Sequence, residues 1–93
     1  MSNVEILFDN ACSAVLNLTT NPTDKEKLVL YGFFKQAKIG DINIPQPSLL
    51  GLNTSYFKDS SKWSAWNNNK GMTKHDAMIK YIKFVSELIL KYN

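Results

Sequence analysis

From Lys74 to the end of the chain, Met78, Tyr81, Ile82, Val85, Leu88, Ile89 and Tyr92 recur at intervals of three and four, with polar and charged residues between them. That rhythm puts the apolar side chains on one stripe of an α-helix about five turns long. Such a stripe is stable only when other elements cover it. No segment alternates apolar and polar residues with period two between turn residues, so the cover is expected to be helical as well. Thr73 and Asp76 supply the start signal of this last helix.

Three further helices can be read upstream. Ser2 and Glu5 stand in capping-box spacing, and Val4, Phe8, Ala11, Val15 and Leu18 follow as one stripe until Pro22 stops it. Thr23 with Glu26 repeats the box, and proline is tolerated in a first turn, so a second helix is expected from about Pro22 to Lys38. Leu28, Tyr31, Phe34 and Ala37, with Leu30 and Phe33 beside them, give it a broad apolar face. Between Ile39 and about Phe57 the pattern fails, and Gly40, Asp41, Pro45, Pro47, Gly51 and Asn53 mark a long connection. Its leucines, Leu49, Leu50 and Leu52, are expected to turn inward. Asp59, Ser60 or Ser61 can then cap a short third helix through Lys62, Trp63, Ala65 and Trp66, ended by Gly71.

Ninety-three residues suffice for a single domain, taken as residues 1–93, with one core. No apolar run approaches the roughly 20 residues that cross a bilayer. The amino terminus has neither the basic region nor the apolar stretch of a secretory signal, and Glu5 and Asp9 argue against a mitochondrial one. A cytoplasmic location is therefore expected. The lone Cys12 fits a reducing compartment, since it can form no internal disulfide. All 11 basic residues are lysines at or beyond Lys25, whereas Glu5, Asp9 and Asp24 precede them unbalanced. The positive field of the later part suits an anionic partner.

Catalytic signals are sparse. His75, the single histidine, has no nucleophile placed beside it by the sequence, and no His, Cys, Asp or Glu spacing resembles a metal site. The four glycines are too scattered to cradle a phosphate. Tyr31 and Lys35 are more suggestive. Four residues apart on a helix, they bring an aromatic face, a hydroxyl and an ammonium to one patch, which suits a phosphorylated nucleotide. Binding without catalysis, cofactor or metal is the class these residues favour.

Two longer motifs sharpen this. YGFFKQAKIGDIN at 31–43 and KWSAWNNNKGMTKHDAMIKYI at 62–82 closely resemble the acyl-CoA-binding proteins, in the same order and over essentially the whole chain. The resemblance implies an all-α, four-helix, up-down-down-up bundle that holds a medium- or long-chain fatty acyl-CoA, such as palmitoyl-CoA, in an open bowl. It implies an intracellular carrier and buffer, expected to be monomeric. By position, Tyr31 and Lys35 correspond to the pair that holds the adenine and the 3′-phosphate. Lys62 corresponds to the third-helix lysine that completes the phosphate clamp, and Tyr81 to a tyrosine that reaches the bound CoA. Gly32, Phe33 and Phe34 are counted with the ligand-binding residues.

For Trp63 and Trp66 a core-filling role is expected, and for Gln36, Asp41 and Asn43 a structural one. The chain also departs from the family pattern. Phe34 lacks the hydroxyl of the usual second tyrosine, the stretch near Asn53 to Phe57 is longer, and Leu16 stands where many members carry a lysine. The competing reading is a basic helical module for nucleic acid or a protein partner, with Tyr31, Phe33 and Trp63 as stacking groups. The absence of arginine speaks against nucleic acid.

Overall fold

The computed structural model describes residues 2–47 and 56–92, with residues 56–58 described by their backbone alone. It contains α1 (Asn3–Leu16), α2 (Asp24–Lys38), α3 (Tyr56–Asn67) and α4 (Lys74–Tyr92). The expected caps are in place: the Ser2 hydroxyl accepts from the Glu5 amide, and both halves of the Thr23–Glu26 box are formed. The Thr73 hydroxyl likewise accepts from the Asp76 amide at 3.0 Å. The third helix differs from expectation, because it begins at Tyr56 and carries Asp59 in its first turn. Asp59, Ser60 and Ser61 therefore lie inside α3, where the carboxylate complements the amino end of the dipole. The expectation for Leu49, Leu50 and Leu52 falls outside the described residues.

Side-chain pairings fix the directions of the helices. Phe8 meets Tyr81 and Thr19 meets Tyr92, so α1 runs parallel to α4. Glu26 meets Lys91 while Gln36 meets the Met72 carbonyl, so α2 runs antiparallel to α4. Lys62 approaches Tyr31 and Trp66 approaches Lys35, so α3 runs alongside α2 in the same sense. The result is an up-down-down-up bundle in which α4 packs on α1 and α2, and α3 leans on α2. Ala77, Tyr81, Val85 and Leu88 of α4 are buried against Phe8 and Ala11 of α1 and Leu30 and Ala37 of α2. Phe8 lies edge-on to Tyr81 at 5.0 Å between centroids and stacks with Phe34 at 6.0 Å. Burial of each large apolar side chain contributes roughly 1.5–3 kcal/mol, so this aromatic triad is a major share of the core.

A polar network ties each end of the α2–α4 pair. At one end, Glu26 accepts from the Tyr92 hydroxyl at 2.6 Å, from the Lys91 ammonium at 2.9 Å and from the Thr23 amide at 2.8 Å. These bonds, that of Tyr92 foremost, lower the Glu26 pKa to about 2. At the other end, the buried Gln36 amide donates to Asp41 and to the Met72 carbonyl, and the Gly71 amide donates to the same Asp41 oxygen. Gly71 and Gly40 take φ of 91° and 96°, which glycine adopts without strain. The structural roles expected for Gln36 and Asp41 are met.

Gly32 is the point of closest approach between α2 and α3. A Cβ there would lie 2.4 Å from the Ala65 carbonyl oxygen. Alanine would gain about 1 kcal/mol of helix propensity. It would also strike backbone that no rotamer change can move, and overpacking of this kind costs about 1–3 kcal/mol or more. Gly32→Ala is therefore expected to lower the urea midpoint, and a variant as stable as the parent would refute the close contact. The Glu26 network has a pH signature. Its carboxyl is more acidic in the folded state, so its contribution is complete above the ordinary value near 4.5 and fades as pH falls through about 2. Glu26→Gln should be less stable than the parent in urea melts at neutral pH, with the gap closing near pH 2.

Candidate functional site

Because α2 and α3 lie parallel and close, residues at matched heights face one another. The α3 position is set from both sides. The Trp66 indole donates to the Gly40 carbonyl at 2.8 Å and the Trp63 indole to the Ile44 carbonyl at 2.9 Å, clipping α3 to the exit of α2. Trp66 is only 2% exposed and fills the core, as expected for it. This registration delivers Lys62 to α2. Its ammonium lies 5.5 Å from the centre of the Tyr31 ring, and that of Lys35 lies 5.9 Å from the same ring. Lys35 also rests 5.4 Å from the Trp66 ring. Both distances to Tyr31 are within cation–π range.

Tyr31, Lys35 and Lys62 are all half-buried. Partial burial pushes the Tyr31 phenol up from its usual pKa, and the Asp59 carboxylate adds to the effect. The phenol therefore keeps its proton at neutral pH and can donate it. Two ammonium groups and one phenol, from two helices, thus meet in one patch of donors from which an anion can accept.

Beside this cluster is a hollow of about 210 Å³ lined by Val15, Lys27, Leu30, Tyr31, Phe34 and Tyr81. Tyr81 forms part of its floor and is 4% exposed. Its hydroxyl pairs with the Cys12 thiol, and burial raises the pKa of both groups. Phe34 contributes a ring alone, 6.3 Å from that of Tyr81. Phe33 is placed differently. It lines a larger groove of about 490 Å³ on another flank of the α2–α3 pair, with Leu28, Val29 and Ser64.

The residues nominated by sequence thus divide. Tyr31, Lys35 and Lys62 converge, Phe34 and Tyr81 adjoin them through the hollow, Phe33 faces another groove, and Gly32 is buried in helix packing. Lys27 and Val15 also line the hollow, and Lys27 stands one turn before Tyr31 on the same helix face. Among the described residues no three His, Cys, Asp or Glu side chains are grouped as metal ligands. His75 lies 3.9 Å from Asp76, both well exposed at the start of α4.

The arrangement is that of a small helical bundle in which two ammonium groups and a phenol meet beside a largely apolar hollow. The family profile "Acyl CoA binding protein" matches residues 5–85. A curated protein from the genus Hypsibius, named as a putative acyl-CoA-binding protein, is 42% identical over 89 residues, which cover 96% of this chain and 94% of the other. Among solved structures, acyl-CoA-binding protein 2 of Oryza sativa superposes with a TM-score of 0.83 at 29% identity, covering 96% of this chain and 93% of that one. The corresponding protein of Moniliophthora perniciosa also gives 0.83, at 35% identity, covering 100% of this chain and 85% of the other. The yeast acyl coenzyme A binding protein is 41% identical with a TM-score of 0.67, covering 92% of this chain and 94% of that one. The chain belongs to the acyl-CoA-binding protein family.

Proposed function

We propose that this protein binds medium- and long-chain fatty acyl-CoA esters without covalent chemistry and serves as a cytoplasmic, monomeric carrier and buffer for them. The convergence of Lys35 and Lys62 on the Tyr31 ring, in a chain of this family, is the observation that carries the reading. In it, the two ammonium groups hold the ribose 3′-phosphate and the Tyr31 hydroxyl donates to it. The adenine lies against Tyr31 and the apolar hollow floored by Phe34 and Tyr81. Gly32 takes part indirectly, by letting α3 come close enough for Lys62 to reach. Phe33, on the other flank, has no direct share in the nucleotide site.

The nucleotide anchors the ligand and the acyl chain adds to it. Each methylene withdrawn from water contributes up to about 0.8 kcal/mol, less the ordering cost, so affinity should climb with chain length. Lys35→Ala should weaken palmitoyl-CoA binding by about 1.5–3 kcal/mol, or one to two decades in Kd. Isothermal titration calorimetry on the folded variant checks this, and an unchanged Kd would remove Lys35 from the site. Free palmitate should bind far more weakly than palmitoyl-CoA, since it carries no phosphate for the lysines.

A further inference from the structure

We infer that Lys27 is a second, separate phosphate contact, which takes the diphosphate bridge of the CoA moiety while Lys35 and Lys62 take the 3′-phosphate. This rests on the nucleotide reading above and adds a residue to it. CoA carries phosphate at two places, the ribose 3′ position and the diphosphate that joins the ribose to the pantetheine arm. A clamp of two ammonium groups around one ring suffices for one of them. The other needs a cation displaced from that clamp but within reach of the same bound nucleotide.

Lys27 meets this requirement. It is the charged residue among those lining the hollow, where it stands with Val15, Leu30, Tyr31, Phe34 and Tyr81. It lies one turn before Tyr31, whereas Lys35 lies one turn after, so the two lysines flank the ring along the same stripe of α2. Its ammonium pairs with no carboxylate among the described residues: the ion pairs there are His75 with Asp76 and Lys91 with Glu26. Among the described residues, α1 lines the hollow with Val15 alone, and the neighbouring Leu16, also uncharged, is 84% exposed. Lys38 is engaged elsewhere, with its ammonium 5.6 Å from the Phe8 ring. An exposed, long-stemmed ammonium without a carboxylate partner, at the mouth of a hollow sized for a base, is placed for the phosphate attached to that base's ribose.

The test uses three ligands: palmitoyl-CoA, free CoA, and adenosine 3′-monophosphate, which has the 3′-phosphate but no diphosphate. In calorimetry, Lys27→Met should weaken palmitoyl-CoA and CoA by roughly three- to tenfold, the lower range for a solvent-exposed charge, and leave adenosine 3′-monophosphate unchanged. Lys27→Arg should restore most of the loss. Equal weakening of all three ligands would overturn the inference, as would none, or a loss in Lys38→Met with none in Lys27→Met. Failure of the unaltered protein to bind palmitoyl-CoA would instead overturn the nucleotide reading itself. Thermal melts of both Lys27 variants should match the parent, because Lys27 is exposed and packs no core.

Discussion

The missing side chain at Gly32 sets the distance between α2 and α3, and the candidate site depends on that distance. With 2.4 Å between a notional Cβ and the Ala65 carbonyl oxygen, no other residue could stand there without pushing α3 outward. Lys62 is carried on α3 one turn before Ala65, so its reach to Tyr31 follows from the same contact. The two indole donors act in the same sense, tying Trp66 to Gly40 and Trp63 to Ile44. A backbone approach and two hydrogen bonds thus fix where the Lys62 stem begins, within reach of Tyr31.

The rest of the bundle keeps α2 from shifting along its axis. Glu26 is held at its amino end by α4, and Gln36 near its carboxyl end by the turn before α4. Between these ends the buried rings of Phe8 and Tyr81 and the half-buried ring of Phe34 pack against one another, which specifies rotation as well as position. Since Tyr31 and Lys35 share the helix with Phe34, fixing the core face of α2 also fixes the direction in which those two residues project. Core packing and site geometry are one constraint expressed on two sides of a helix.

Much of this is legible in the residues themselves. The three-and-four rhythm of Phe8, Ala11 and Val15, of Leu30, Phe34 and Ala37, and of Tyr81, Val85 and Leu88 marks the faces that meet, and the Ser2, Thr23 and Thr73 caps mark three starts. The start of α3 is obscured because Asp59, Ser60 and Ser61 look like a cap, whereas Asp59 falls in the first turn, where a carboxylate complements the dipole, and the two serines follow it inside the helix. Gly32 is grouped with ligand contacts by its neighbours in the motif. Only the position of Ala65, more than 30 residues away, reveals it as a packing contact. Phe33 lines a different groove from Phe34 for a similar reason: adjacent residues on a helix point about 100° apart, so a contiguous motif is divided between two flanks. Lys27 escapes notice since it precedes the motif, although its spacing from Tyr31 is the same as that of Lys35.

The ring contacts of the two lysines also bear on how tightly an anion could be held. Each ammonium lies over the Tyr31 ring, a contact worth about 0.5–1 kcal/mol at such exposure, and the two like charges repel. A phosphate entering between them relieves the repulsion and gains charge-assisted bonds, but it draws each ammonium away from the ring. The net gain is the difference between those bonds and the ring contacts, so it is smaller than the bonds taken alone. Arginine, planar and prone to stack, would give up more on leaving the ring, whereas a lysine ammonium on its flexible stem can pivot to phosphate at less cost. The choice of lysine at 35 and 62 and the tyrosine that the two share therefore together set what an anion would have to displace at this cluster.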